Sequence, residues 1–265
     1  MTRLSPERTL MGASVALGLL HAWAGRYAMN PDGISYLDVG DSFFRRDWAN
    51  AVNAWWSPLY PWTVGLILGV VRPSPKWEFP LVHLVNFGVF LAALFAFRFL
   101  LHEMRAFGRD RLSHATSGPA EALSDWAVVL LAYPIFWWTA LEGETLYLVS
   151  PDLAVMACFC LTAGMLLSLR QGGPLWKFSL LGLILGIGYW TKTILFPLGF
   201  VTLAAGYLWK RSTSGWGRSM TVAGLVFVCS SAPLILLLSH QKGRFTYGDS
   251  GKMNYAWYVS PRTFW

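Results

Sequence analysis

Two aspartates in the sequence belong to the same short motif, in which a carboxylate could act as a base. Asp32 ends an Asn-Pro-Asp triplet and Asp152 ends a Ser-Pro-Asp triplet. At a membrane surface, either carboxylate could deprotonate an acceptor hydroxyl. The motif also has a structural explanation: a capping residue, proline at the first helical position, and an acid near the positive end of the helix dipole. Both explanations stay open from the sequence.

Cations beside aromatic residues form the second candidate group. Lys192 and Arg244 could stabilise a leaving phosphate, and Lys252 is a further candidate. Lys192 could equally extend its ammonium group to a membrane interface without binding a ligand. The acids at positions 38, 41 and 47 are interpreted as solvated loop residues, because Arg45 and Arg46 offset their charge.

The composition indicates an integral membrane protein. Hydrophobic residues make up 55% of the chain and charged residues only 13%, and the mean hydropathy is +0.43. A soluble domain of this length would need more polar surface. The 15 tryptophans suit helices that meet a membrane interface repeatedly. We interpret the net charge of +7 as cytoplasmic anchoring rather than as nucleic-acid binding.

Cysteine and histidine do not predict a metal site or a disulfide framework. Two of the three cysteines, Cys158 and Cys160, lie within one apolar run, and Cys229 lies in another. The five histidines are scattered along the chain and form no ligand spacing. We therefore assign no metal ligand, and a divalent metal stays open as a cofactor.

Eight apolar runs divide the chain, and one of them is too short to span a bilayer comfortably. They cover about 10–28, 59–71, 80–101, 125–141, 152–169, 175–190, 193–209 and 220–239. A membrane span needs about 20 helical residues, whereas 10–14 residues are typical of an interfacial or re-entrant segment. The 59–71 run is therefore predicted not to cross.

Charge supports the same topology. The basic loops, which positive charge places in the cytoplasm, contain Arg105, Arg109 and Arg111, then Arg170 and Lys177, then Lys210, Arg211 and Arg218. The N-terminal tail with Arg3 and Arg8 is also basic, whereas the loop with Glu142 and Glu144 is not. Because the tail and the 102–124 loop would both be cytoplasmic, an even number of spans must separate them. The number of spans is even only if 59–71 does not cross.

We therefore expect one all-α membrane domain over 1–265, with about seven transmembrane helices and a cytoplasmic N-terminus. Residues 30–79 would form an outer loop with interfacial helices, and 240–265 would begin a second outer loop. Both candidate aspartates and Lys192 then lie at the outer face. The 106–124 stretch is polar and is predicted to be a cytoplasmic connector.

Two motifs in the first outer loop resemble a known family. Residues 30–36 read Asn-Pro-Asp-Gly-Ile-Ser-Tyr, and residues 56–61 read Trp-Ser-Pro-Leu-Tyr-Pro. They are similar to the first outer loop of GT-C glycosyltransferases such as the bacterial protein O-mannosyltransferases and the lipid A aminoarabinose transferases. Residues 150–152 resemble the family's second outer loop, and residues 188–192 resemble an outer turn that carries a basic residue.

The resemblance implies a glycosyltransferase of the inner membrane that takes its sugar from a polyprenyl-phosphate donor. Asp32 would be the base, and Asp152 would orient the acceptor or assist through a metal. Lys192 and Arg244 would bind the donor phosphate. The acceptor or substrate pocket would contain three aromatic residues of the first outer loop, Tyr36, Trp56 and Tyr60.

The chain departs from the family in two respects. Many relatives have Asp-Glu at the first site, where this chain has Asp32 followed by Gly33, so a metal or second-acid role there is in doubt. Relatives are also longer. We therefore expect a truncated product, a fragment or a minimal version that is inactive alone and needs a partner chain for the later helices.

A non-enzymatic membrane protein, either half of a transporter or a scaffold subunit, is the alternative. A transporter usually places polar residues near the middle of the bilayer. The central stretches of these apolar runs offer little beyond His83 and Asn86, whereas the candidate carboxylates and Lys192 lie at the expected outer face. That distribution favours chemistry at the interface.

Overall fold

The structure, a computed structural model, describes residues 6–113, 125–143, 146–210 and 214–260. Every regular element in those ranges is a helix, which confirms the predicted all-helical class. In chain order these are α1 (Pro6–Ala24), α2 (Pro31–Phe44), α3 (Trp48–Ala51), α4 (Leu59–Val71), α5 (Pro75–Ser113), α6 (Asp125–Trp137), α7 (Asp152–Ser168), α8 (Leu175–Thr191), α9 (Leu195–Trp209), α10 (Trp216–Lys242) and α11 (Ser250–Tyr258). A π-helical turn, Trp138–Gly143, continues α6.

Each predicted apolar run overlaps one helix, and helices also extend into two stretches that were predicted to be polar loops. Helix α4 has the same bounds as the predicted 59–71 segment. Helix α5 continues to Ser113, so the first residues of the predicted 106–124 connector are helical. Helix α11 forms inside the predicted polar tail. Residues 114–124 and the charged residues Arg3, Glu144 and Arg211 lie outside the described ranges.

Within the described ranges, three helices are long and apolar enough to cross a membrane: Pro75–Arg111, Asp125–Gly143 and Trp216–Lys242. Four shorter apolar helices, α4, α7, α8 and α9, have 10–17 residues each. The described part of the chain therefore has the helix lengths and composition of a helical membrane protein.

The helices belong to two compact units. The first unit contains the described residues of 1–30 and 73–171, and the second those of 31–72 and 172–265. Within the first unit, α1, α5 and α6 surround an apolar core that includes Phe90, Leu94 and Tyr133, all fully buried. Helix α7 packs against α5.

Ion pairs join the helices of the first unit at one end. Glu7 at the start of α1 accepts hydrogen bonds from Arg98 at 2.8 Å and from Arg105 at 3.1 Å. Arg105 also contacts Asp125 at the start of α6, at 3.1 Å. Arg170, just after α7, contacts Asp110 at 2.6 Å. The arginine contacts, that of Arg98 first, hold the pKa of the Glu7 carboxyl below its usual range.

Helices α1 and α5 of the first unit are antiparallel. Glu7 contacts Arg98 near the C-terminal half of α5, whereas the carbonyl of Ala28 lies 3.0 Å from Nε2 of His83 near its beginning. At a rise of about 1.5 Å per residue, His83 and Arg98 are roughly 22 Å apart along the helix. The chain therefore leaves the first unit after Asn30 and returns to it at Pro73 at the same end.

In the second unit, α2 and α4 approach each other closely through glycine. A Cβ at Gly65 would collide with the backbone of Gly40, and a Cβ at Gly40 would collide with that of Pro61. Small residues of this kind allow helix backbones to come together where lipid removes the hydrophobic driving force between helices. The same contact is made between Gly182 of α8 and Ala223 of α10.

We expect Gly65→Ala to destabilise the second unit by about 1–3 kcal/mol, because the methyl group would push α2 and α4 apart. Gly88→Ala is the control, since a Cβ there meets no atom within 4 Å and should be neutral or slightly stabilising. Thermal unfolding of both variants in detergent measures the difference. Equal melting temperatures for Gly65→Ala and Gly88→Ala would contradict the close helix contact.

Candidate functional site

Asp32 lies in the first turn of α2, in the second unit, and is exposed. Among the described residues no hydrogen bond or ion pair engages its carboxylate. The side chain of Asn30, the predicted capping residue, instead accepts a hydrogen bond from the backbone N–H of Val149 at 2.9 Å. No hydrogen bond from α2 to the Asn30 side chain therefore supports the predicted cap. Asp32 nevertheless lies near the positive end of the helix dipole of α2.

Asp152 opens α7 in the first unit and is half-buried. Its backbone N–H donates to the hydroxyl of Ser150 at 3.4 Å. This contact is a local serine turn, because Pro151 rather than Ser150 occupies the N-cap position of α7 and no described side chain caps the helix. The carboxylate again occupies the first turn, where the helix dipole favours its ionised form.

Residues 243–250, which we call the docked segment, follow α10 and fold back onto other parts of the second unit. The backbone N–H of Asp249 donates to the carbonyl of Ala54 at 2.8 Å. The hydroxyls of Thr193 and Ser250 are 2.6 Å apart. The hydroxyl of Tyr189 donates to the carbonyl of Tyr247 at 2.9 Å. The docked segment is therefore attached both to the loop before α4 and to the turn after α8.

Gly248 lets the docked segment lie against that turn. Its φ of 139° is unfavourable for any residue with a side chain. A Cβ at this position would also lie 2.5 Å from the Cγ2 methyl of Thr193. Both the conformation and the space therefore require glycine here.

A buried carboxylate in the docked segment holds two cations. Nη2 of Arg244 contacts both oxygens of Asp249, at 2.6 and 2.7 Å, and Nζ of Lys252 lies 3.5 Å from the same group. The Asp249 side chain is 7% exposed, whereas that of Arg244 is 45% exposed. Asp249 uses only Nη2, so Nε and Nη1 of Arg244 are not engaged by it. The hydrogen bond from Arg244, the largest influence, holds the pKa of Asp249 below its ordinary value.

Lys192 lies at the same end of the second unit as Arg244. It is the residue before Thr193, whose hydroxyl contacts Ser250, the neighbour of Asp249. Lys192 is exposed and ends α8 with extended backbone. The structure thus places the backbone of Lys192 next to the docked segment, which contains Arg244, while Lys252 shares the Asp249 carboxylate with Arg244.

The three aromatic residues predicted for an acceptor pocket do contact one another. The ring of Tyr36 lies 4.9 Å from that of Trp56 and 5.6 Å from that of Tyr60, both edge-on. Tyr36 and Tyr60 are buried between α2 and α4, whereas Trp56 is half-buried. Packing between α2 and α4 therefore covers most of the surface of the two tyrosine rings, and Trp56 has the largest accessible fraction of the three. Their role in binding an acceptor stays a prediction.

A second aromatic cluster in the same unit was missed by the sequence reasoning. Phe43 stacks on Trp62 at 4.5 Å, and Trp62 also contacts Trp48 and Trp190. Trp48 is exposed. Since Trp190 precedes Lys192 by two residues, this cluster is adjacent in the chain to one of the predicted phosphate-binding cations.

Asp249 was also missed, because Gly-Asp-Ser-Gly at 248–251 is typical of a turn. The spacing from Arg244 was the only available signal. Among the described residues, no three His, Cys, Asp or Glu side chains are grouped so that they could hold a metal ion.

No family model matches the chain, and no curated protein and no solved structure shows significant similarity to it.

We expect Asp249→Asn to lower the melting temperature at pH 7 and to loosen the docked segment, because the ion pair with Arg244 is lost. A carboxyl whose pKa is depressed in the folded state stabilises the fold above its unfolded pKa. That stabilisation is lost as the pH falls through the folded pKa of Asp249, which the contact with Arg244 depresses. The difference in melting temperature between wild type and variant should therefore persist down to the unfolded pKa of aspartate, about 3.9, and shrink only below it.

Asp41→Asn is the matched control, since its i,i+4 pair with Arg45 is largely exposed and such pairs contribute little. Thermal unfolding of both variants between pH 3 and 8 checks the result. If Asp249→Asn behaved like Asp41→Asn at pH 7, the ion pair would not hold the docked segment.

Proposed function

We propose that the chain is a GT-C-type glycosyltransferase that moves a sugar from a polyprenyl-phosphate donor to an acceptor hydroxyl at the outer face of the inner membrane. The observation that supports this best is the pairing of Arg244 and Lys252 at Asp249 in the docked segment of the second unit, with Thr193, the residue after Lys192, in contact with Ser250 of that segment. Donor groups on these side chains match the oxygens of a phosphate monoester or diester.

In the proposed reaction, the Asp32 carboxylate takes the proton of the acceptor hydroxyl. The acceptor oxygen attacks the anomeric carbon, and the bond from that carbon to the phosphate oxygen breaks. The electron pair leaves with polyprenyl phosphate, whose added negative charge Lys192 and Arg244 stabilise. The proton on Asp32 is then lost to water. Asp152 would orient the acceptor, or hold a metal that assists it.

The phosphate site suits an amphiphilic donor. Exposed aromatic side chains are frequent in the docked segment and in α11, among them Phe245, Tyr255, Trp257 and Tyr258. Tryptophan and tyrosine are favoured at the level of lipid head groups. Cations next to such rings would meet a phosphate at the depth at which a polyprenyl phosphate carries it.

The first unit supports the proposed topology of seven spans. Its arginine-rich end contains Arg98, Arg105 and Arg170, and positively charged ends of this kind stay in the cytoplasm. Because the chain leaves and re-enters the first unit at the opposite end, residues 31–72 make no net crossing. Helix α4 would then not be a single span between α1 and α5.

Helix length is compatible with the shorter spans of this topology. Helices α7 and α8 have 17 residues each, or roughly 26 Å, which is near the lower limit for a bilayer core of about 30 Å. Helix α9 has 15 residues and would require local thinning of the bilayer or anchoring by flanking residues.

The two polar residues that could have lined a transport pathway are used inside the protein. Asn86 donates to the carbonyls of Leu146 and Leu148, and His83 contacts the carbonyl of Ala28. Both side chains are almost fully buried. Neither therefore supports the alternative of a transporter half.

A cysteine-labelling experiment tests the topology. With Cys158, Cys160 and Cys229 replaced by serine, single cysteines are placed at Lys76, Gly251 and Gly108. Both glycines leave open space for a side chain. We expect a membrane-impermeant maleimide to label positions 76 and 251 in intact spheroplasts, and position 108 only after permeabilisation. Labelling of positions 76 and 108 from the same side would contradict the seven-span arrangement.

Replacing the proposed base tests the reaction. Asp32→Asn keeps the size and position of the side chain but removes its basicity, so we expect the rate of transfer to fall about 100- to 10,000-fold. Asp38→Asn, an exposed acid of the same helix, is the control and should leave the rate unchanged.

The assay uses membranes of the cells that encode the chain, so that any partner subunit is present. Polyprenyl-phosphate mannose, glucose and aminoarabinose are supplied in turn, and released polyprenyl phosphate is measured by mass spectrometry. Near-normal release by Asp32→Asn would remove Asp32 as the base. Release unaffected by deletion of the gene would argue against the glycosyltransferase proposal for every donor supplied.

A further inference from the structure

A group of polar contacts lies at the end of the first unit from which residues 31–72 depart. Asn86 is 2% exposed. Its Nδ2 donates to the carbonyl of Leu146 at 3.3 Å and to that of Leu148 at 3.0 Å. Oδ1 of Asn30 accepts the backbone N–H of Val149 at 2.9 Å. Two asparagines from different parts of the chain therefore hold one stretch of four residues, 146–149.

The same turn of α5 also holds the chain before α2. His83, one helical turn before Asn86, is 1% exposed, and its Nε2 donates to the carbonyl of Ala28 at 3.0 Å. Asn30, which bonds the 146–149 loop, is two residues further along the chain. His83 and Asn86, from a single turn of α5, thus bond the two backbone segments that the hydrogen bond between Asn30 and Val149 joins.

These contacts lie close in sequence to the two candidate carboxylates, Asp32 and Asp152. Asn30 precedes Asp32 by two residues, and Val149 precedes Asp152 by three. Each candidate carboxylate therefore follows closely on a backbone segment that Asn86, Asn30 or His83 holds. Leu146 and Val149 are fully buried, so the loop has apolar anchors as well as polar ones.

Hydrophobic contacts alone would not define the loop backbone this closely. Burial of Leu146 and Val149 favours a compact loop, but it is not directional and does not by itself fix which backbone groups meet. The amide of Asn86 meets two carbonyls at once, and a buried carbonyl without a donor costs about 1–3 kcal/mol. The asparagine contacts therefore select one conformation of the loop.

We infer that Asn30 and Asn86 are positioning residues, which fix the loop 146–149 and through it the carboxylate of Asp152. The inference rests on the proposed function, in which Asp152 orients the acceptor. Neither asparagine needs to touch the substrate. Their contribution is to rate, because a misplacement of a reacting group by about 1 Å can lower turnover about 100-fold.

The experiment compares Asn30→Ala with Asn30→Asp. The aspartate keeps an oxygen that can accept the Val149 N–H, whereas alanine has none. Asn86→Ala approaches the same loop from α5. Val82→Ala is the control for lost volume, because Val82 is fully buried on the same helix and neither asparagine contact involves it.

Two readouts are combined. Hydrogen–deuterium exchange of the full chain in lipid nanodiscs follows the peptide that contains Val149. We expect on the order of tenfold faster exchange in Asn30→Ala and Asn86→Ala, with near wild-type exchange in Asn30→Asp and Val82→Ala. In native membranes, kcat for release of polyprenyl phosphate should fall about 10- to 100-fold in the two alanine variants, with KM for the donor unchanged.

Unchanged exchange in Asn30→Ala and Asn86→Ala would overturn the inference whatever the activity. Faster exchange with wild-type kcat would also overturn it, while leaving the glycosyltransferase proposal intact. A wild-type protein that releases no polyprenyl phosphate would instead refute the proposed function, and the asparagines would then hold a loop without positioning a reacting group. Restoration of both exchange and kcat by Asn30→Asp supports the inference, because a general loss of stability would not respond to one acceptor atom.

Discussion

The constraint on which the rest of the structure depends is that polar backbone groups in an apolar surrounding must find partners inside the protein. Without water, an unpaired N–H or C=O costs several kcal/mol, so a chain of this composition forms helices wherever it is apolar. The points at which helices end are then the difficult ones. In the first unit, Asn86 meets this demand by bonding two carbonyls of a non-helical loop, and Asn30 meets it by accepting the N–H of Val149.

Close helix contacts follow from the same surrounding. Lipid chains are as apolar as leucine, so burial alone does not bring helices together. Van der Waals contact between closely packed helices must therefore contribute more to their association. Glycines at positions 40 and 65 let α2 and α4 touch through their backbones, and Gly182 does the same for α8 against α10. The tight approach of α2 and α4 has a consequence for the site, since it buries Tyr36 and Tyr60 between them.

Much of the helix pattern could be predicted because hydropathy runs report it directly. The bounds of α4 matched because Pro58 and Arg72 flank an uninterrupted apolar run. The extension of α5 to Ser113 could not be predicted in this way. Its last turns carry Glu103, Arg105 and Asp110, which are polar in sequence but bonded to Glu7, Asp125 and Arg170 far away in the chain. Charge pairing between distant residues leaves no local periodic signal.

The candidate site shows the same limit. Asp32, Lys192 and Arg244 could be selected from residue type and motif, because a carboxylate or cation beside a helix end is visible in sequence. The ion pair between Asp249 and Arg244 could not, since it exists only when the docked segment lies against Ala54 and Thr193. The exposure of Trp56 relative to Tyr36 and Tyr60 likewise depends on how α2 meets α4, which three-dimensional packing decides.

Cations are used differently in the two units, and the difference bears on the proposed chemistry. Arg105 and Arg170 of the first unit each contact two carboxylates. Their charge is therefore neutralised in ion pairs that join helices. Arg244 contacts a single buried carboxylate through one nitrogen and stays nearly half exposed.

Asp249 would therefore orient Arg244 without saturating it. It also offsets positive charge beside the docked segment, so that a phosphate bound there would meet the remaining donors of Arg244 rather than an unopposed cation. A moderate attraction of this kind would suit the proposed reaction, in which polyprenyl phosphate has to dissociate after each transfer, because product bound by unopposed charge would dissociate slowly.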